Sequence, residues 1–155
     1  MTSHFSPPPP LIVVMGVCGS GKTTLGAALA GRLGLPFCDA DDLHPPANVA
    51  RMRAGVPLTD ADRAPWLDAV GAWLAARAGT GAVTSCSALR RAYRDVLRSH
   101  APGVAFAHLD GAPATIAARM AARPGHFMPA ALLESQLATL EPLGPDETGT
   151  TLDVA

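Results

Sequence analysis

Between Gly16 and Thr23 the chain reads Gly16-Val17-Cys18-Gly19-Ser20-Gly21-Lys22-Thr23, a run that joins three glycines to a cation and a hydroxyl. Residues of these types can bind phosphate. Glycine lets the backbone turn its N–H groups inward around phosphate oxygens, with no side chain in the way. Lys22 brings positive charge to the terminal phosphates of a nucleotide, and Thr23 offers a hydroxyl to Mg²⁺. The spacing Gly16-x-x-x-x-Gly21-Lys22-Thr23 assigns Gly16 through Thr23 to nucleotide binding, the alternative being a glycine-rich turn from strand to helix. Holding a phosphate does not imply moving it. Transfer to an acceptor needs acidic groups facing the γ-phosphate, one to order metal and water and one to take the proton of the acceptor hydroxyl. Asp39-Ala40-Asp41 supplies two carboxylates two residues apart. On a strand, alternation would put both on one side, toward the phosphates. The alternative is a solvated strand end or a helix cap.

Such groups need a scaffold to hold them, and the hydrophobic pattern describes one. The run Leu11–Met15 reads as a buried strand leading into the glycine run, with a helix from about Lys22 to Leu33 that Gly34 ends in a left-handed conformation. Residues 36–41 read as a second strand. An irregular stretch follows, where prolines and a glycine interrupt any long helix, until a helix spans about Asp60 to Ala78. Further along come a strand at 82–87, a helix at 88–99, a strand at 103–110, a helix at 112–122, a helix at about 129–140 and a last strand at 150–154. Alternating strands and helices predict an α/β fold with a parallel sheet covered on both faces. Trp66 and Trp73 lie seven apart on one predicted helix face, the spacing of core residues.

With 155 residues, 48% hydrophobic and 16% charged, and a net charge of -1, the sequence suits one compact domain and carries no basic footprint for nucleic acid. The first ten residues, MTSHFSPPPP, read as a disordered polyproline-like arm and not as a signal peptide. No apolar run is long enough to cross a membrane. Cys18, Cys38 and Cys86 show no paired metal-type spacing, which fits reduced thiols in the cytoplasm. Among inward-pointing N–H groups at the positive end of a helix, Cys18 is expected to favour the thiolate and to be the most reactive of them, the alternative being a buried, inert thiol.

Four separated blocks extend the pattern: MGVCGSGKTT; DADDLHPPANVARMRAGVPLTDADRAPWL; SCSALRRAYRDVLR; and RMAARPGHFMPAALLESQLATLE with a following DET. Together they resemble the small P-loop gluconokinases, relatives of shikimate and nucleoside-monophosphate kinases. The resemblance implies a P-loop NTPase fold over residues 11–155, with an acceptor-binding insertion at about 42–78 and a lid at about 119–130. It also implies ATP- and Mg²⁺-dependent phosphorylation of D-gluconate at its terminal hydroxyl. Within that frame Asp41 is the candidate to orient or deprotonate the acceptor hydroxyl, with Asp39 and Thr23 nearer the metal. His44, Asn48 and Arg51 are candidates for binding the polyhydroxylated acid, although a structural hydrogen bond is the simpler role for His44. Arg63 and Arg90 are candidates for gripping its carboxylate, ordinary surface arginines being the alternative. Arg119 and Arg123, four apart at a helix end, would reach the transferring phosphate from the lid, where Lys22 also acts. A basic helix C-terminus favoured by the dipole is the plainer reading of that pair.

The family's usual residues differ at Cys18, Ala40, Arg90 and Pro124. The family also continues into a further helix beyond the point where TLDVA stands here, so an uncovered sheet face, and a homodimer that covers it, are expected. A shikimate-type kinase and a catalytically impaired nucleotide-binding regulatory module are the competing readings.

Overall fold

The computed structural model describes residues 8–122 and 130–154. Its sheet is built from β1 (Leu11–Met15), β2 (Phe37–Asp39), β3 (Ala82–Ser85), β4 (Val104–Asp110) and β5 (Gly149–Asp153). Helices α1 (Lys22–Leu33), α2 (Pro46–Arg53), α3 (Asp60–Ala75), α4 (Arg91–His100), α5 (Pro113–Ala121) and α6 (Ala130–Thr139) complete it, with a 3₁₀ turn at Ala40–Leu43. The strand order is β2-β3-β1-β4-β5, and all four pairings are parallel.

β1 is central because both of its faces are apolar. Val13 and Met15 join a cluster with Trp66, Leu67, Val70 and Leu74 of α3, Leu97 of α4 and Phe106 of β4. On the other face Val14 packs with Ala30 of α1, Val83 and Leu109. From β1 the chain runs one way to β3 and β2 and the other way to β4 and β5. The strand order therefore reverses at β1, and the crevice beyond its carboxyl end is where an open α/β sheet takes a ligand. The residues after Met15 are the glycine run.

Of the boundaries that differ from the sequence expectation, three have a clear local reason. β2 ends at Asp39 because that carboxylate accepts from the Asp41 N–H at 3.0 Å and caps the 3₁₀ turn. Asp39 and Asp41 consequently do not alternate along one strand; a turn brings them together instead. α3 starts on a capping box in which Thr59 and Asp62 exchange bonds at 2.9 and 3.1 Å, but it stops at Ala75, and Arg77 lies over the Trp73 ring at 4.2 Å. α4 starts only at Arg91: Ala88 stands at φ 45°, outside the helical region, and the Arg91 N–H donates to Glu141 at 2.8 Å.

Sequence reading gave no sign of a buried ion pair, yet one ties α4 to the segment that enters β5. Arg94, fully buried, donates to both carboxylate oxygens of Glu147 at 2.7 and 2.9 Å, and to the Ala88 carbonyl at 2.9 Å. Arg98 and the Gly144 N–H also donate to Glu147, at 2.9 and 3.1 Å. Of the proline arm, the described part lies against the sheet, where the Pro10 carbonyl accepts from the Ala82 N–H at 3.0 Å.

Candidate active site

Local backbone geometry explains the shape of the loop between β1 and α1. Gly21 caps α1 at φ 95°, in a left-handed region that a side chain would strain. Gly19 stands at φ 79°, and a Cβ there would collide with Met120 of α5, so the loop and α5 can approach only through glycine. Beneath the loop, the Val17 carbonyl accepts from Ser20 Oγ at 2.8 Å and from Lys22 Nζ at 3.0 Å. The Gly16 N–H is bound to the Ser87 carbonyl at 3.3 Å, which anchors the start of the loop to the segment just past β3.

The acidic turn faces this loop. Thr23 Oγ1 donates to Asp39 Oδ2 at 3.2 Å, so the first turn of α1 and the end of β2 meet through a hydroxyl and a carboxylate. Burial lowers the Lys22 ammonium from its ordinary value, while Asp41 and Asp39 act to keep it charged. Asp41 has one side open to solvent. The protein packed around its other side, together with the charge of Asp39, pushes its carboxyl up from the ordinary value, and Lys22 opposes the shift. A raised carboxyl beside a cation has the character of a base matched to a hydroxyl proton. Thr23 and Asp39 are hard oxygen donors that suit Mg²⁺. Among the described residues no group of three or more His, Cys, Asp or Glu side chains is placed to hold a metal ion.

α3 holds the acidic turn in place. The Trp66 indole N–H donates to the Ala40 carbonyl at 2.7 Å, and its ring stacks on His44 at 4.2 Å. Burial and Arg63 lower the His44 ring, favouring the neutral form, whose Nδ1 can accept from the Asn48 amide at 3.2 Å. That amide also donates to the Asp62 carbonyl at 2.9 Å, and Arg51 stands 3.8 Å from the Asp62 carboxylate. His44 and Asn48 thus make the structural contacts that brace α2 against α3. Arg63 donates to Tyr93 Oη at 3.2 Å and lies 3.5 Å from Asp60, and Tyr93 in turn donates to Asp60 at 2.5 Å. Arg90, exposed at the start of α4, is close enough to act on the Tyr93 hydroxyl electrostatically. Arg63 and Arg90 therefore both act on Tyr93, which sequence reasoning passed over although it lies three residues after Arg90, in the first turn of α4.

Arg119 is exposed on α5, beside the Ile116 and Met120 that cover the loop. Arg123 and most of the expected lid lie outside the described residues. Cys18 contradicts the thiolate expectation. Burial raises its thiol above the ordinary value, outweighing Lys22 and its own backbone N–H, and its sulfur lies 4.0 Å from Met120 Sδ in an apolar cluster. The other residue that sequence reasoning missed is Gln136 of α6, whose carboxamide oxygen accepts from the Cys18 N–H at 2.6 Å.

Comparison with known proteins places these features. A family model described as AAA domain matches residues 11–143. A gluconokinase from Gluconobacter oxydans (strain 621H) is 55% identical over 141 residues, spanning 90% of this chain and 79% of that relative. The thermosensitive gluconokinase of Escherichia coli (strain K12) is 48% identical over 138 residues, spanning 87% of this chain and 73% of that relative. Among solved structures, a gluconokinase from Sinorhizobium meliloti 1021 superposes with a TM-score of 0.89 at 51% identity, over 97% of this chain and 85% of that one.

Proposed function

The chain belongs to the gluconokinase family of P-loop kinases, and from that premise we propose that it transfers the γ-phosphate of ATP to the terminal hydroxyl of D-gluconate, giving 6-phospho-D-gluconate. The observation that carries the chemistry is the meeting of the phosphate loop with the acidic turn, where Thr23 bonds Asp39 at 3.2 Å and Asp41 acts on Lys22. Phosphoryl transfer passes through a loose transition state, so positioning and charge outweigh nucleophile strength.

Each side chain then has a task. The N–H groups of the loop past Gly16, together with the Lys22 ammonium, hold the donor phosphates. Thr23 and Asp39 would hold Mg²⁺, which would supply charge neutralisation on those phosphates. Asp41 orients the acceptor hydroxyl toward the γ-phosphate and takes its proton. Arg63 and Arg90, which both act on Tyr93, grip the carboxylate of the acid, and Arg51 binds its hydroxyls from α2, which His44 and Asn48 brace. Arg119, with Arg123 beyond it, supplies charge from the lid side. Among the described residues no helix is long and apolar enough to cross a membrane. Three free thiols and the need for ATP fit a cytoplasmic enzyme.

A coupled assay of ADP release tests the substrate. With D-gluconate, turnover should exceed the rate without acceptor by about a hundredfold or more, since an oriented acceptor supplies effects of that size. Shikimate and nucleoside monophosphates should leave the rate near the acceptor-free value. ADP release that is indifferent to gluconate would contradict the proposal.

A further inference from the structure

The first turns of α3 and α4 meet through the hydroxyl of Tyr93, whose ring belongs to the core. That hydroxyl donates to Asp60 Oδ1 at 2.5 Å and accepts from Arg63 Nη1 at 3.2 Å, while the Arg63 guanidinium lies over the ring, 5.4 Å from its centre. Asp60 and Arg63 are three apart on α3, a spacing at which a carboxylate and a guanidinium can bond directly. Here they stop short. Arg63 Nη1 and Asp60 Oδ1 stand 3.5 Å apart, against about 2.7–2.9 Å for a charge-assisted bond, and the Tyr93 oxygen is bound to both. Both contacts of Arg63 use Nη1, which leaves the Nη2 and Nε edge of its fork for a carboxylate. The Arg63 charge also reaches His44, the residue that closes the acidic turn, so this end of α3 borders the catalytic crevice.

We propose that Tyr93 is a positioning residue for the acceptor acid: its hydroxyl holds Asp60 and Arg63 apart, so that the guanidinium meets the carboxylate of the acid instead of closing onto Asp60. This inference rests on the reading that Arg63 and Arg90 take that carboxylate. Without the hydroxyl, Asp60 loses its donor and Arg63 is its nearest replacement. An arginine already paired must then be displaced before it can grip the acid.

Steady-state kinetics on Tyr93→Phe read the effect, because the ring, its packing and the guanidinium above it are kept. KM for D-gluconate should rise about five- to tenfold, within the range of one net hydrogen bond, while kcat and KM for ATP stay within about twofold of wild type. Two further arms separate positioning from general damage. Adding Asp60→Asn removes the carboxylate that captures Arg63, so the double variant should return KM for gluconate to within about twofold of wild type. D-Gluconamide carries the same hydroxyls without the charge. Wild type and Tyr93→Phe should phosphorylate it with equal efficiency, about tenfold or more below that of wild type on gluconate. A gluconate KM unchanged in Tyr93→Phe, or a rise that Asp60→Asn does not reverse, would overturn the role of Tyr93 and leave the carboxylate reading standing. Wild-type enzyme that uses gluconate and gluconamide alike would overturn that reading and this inference together.

Discussion

Asp41→Asn is expected to lower kcat by about a hundredfold or more, the usual share of a positioned acid or base, while ATP binds within about threefold of wild type. The asymmetry follows from where the group acts. Asp41 serves the acceptor, whereas Lys22 and the loop N–H groups hold the donor. Asparagine keeps the size and can still accept a hydrogen bond from the hydroxyl, but it cannot take the proton. Because burial and Asp39 push the Asp41 carboxyl up, wild-type kcat should fall on the acid side as pH drops through that raised value. Activity needs the ionised form, so it is present above the Asp41 pKa and lost below it. The variant's small residual rate should lack that limb. Steady-state kinetics against pH, with ATP affinity measured separately, would show both effects. A variant with near-normal kcat and an intact acid limb would move the proton acceptor elsewhere.

Glu147→Ala should destabilise the fold by about 3–5 kcal/mol, because it leaves Arg94 charged and buried without a partner. The side chains of Arg94 and Glu147 are 0% and 1% exposed, and solvent cannot replace the lost carboxylate. A loss of that size takes a large part of the roughly 5–15 kcal/mol that keeps a domain folded, and should lower the melting temperature by about 10 °C. Replacing both residues, as Arg94→Met with Glu147→Met, removes the stranded charge and should recover most of the loss. The same pair sets an acid limit. Burial alone would raise the Glu147 carboxyl, but Arg94, the Gly144 N–H and Arg98 outweigh it and hold the group at about 2, against an ordinary 4.5. The unfolded chain therefore binds this proton first. Stability from Glu147 is complete above about pH 4.5 and is lost as pH falls through about 2. Thermal melts of the single and double variants decide the matter. A single-variant loss below about 1 kcal/mol, as for an exposed ion pair, would contradict it.

What the sequence made legible was whatever its local pattern encodes. The glycine run sits between a five-residue apolar strand and a helix that Gly34 ends at φ 66°, as periodicity and the loop spacing required. Asp39 and Asp41 meet at the loop as expected, but through a turn, because a carboxylate that can cap its own backbone competes with continuation of the strand. The rest depended on contacts between residues far apart in the chain. Arg94 with Glu147 and Gln136 with Cys18 join residues 53 and 118 positions apart. Spacing rules of two or 3.6 residues say nothing at such distances. Cys18 shows the same limit in electrostatics: neighbours in sequence suggested a thiolate, and α5 packing over the loop raised the thiol instead.

The central claim is that the acidic turn directs the phosphate of ATP onto the terminal hydroxyl of gluconate, and phosphorus NMR of the reaction products tests it most directly. A phosphate ester on that hydroxyl couples to two methylene protons, so proton-coupled spectra should show one new phosphomonoester signal, a triplet, growing in step with ADP. A doublet, the mark of an ester at a secondary hydroxyl, or inorganic phosphate as the sole new product, would contradict the account.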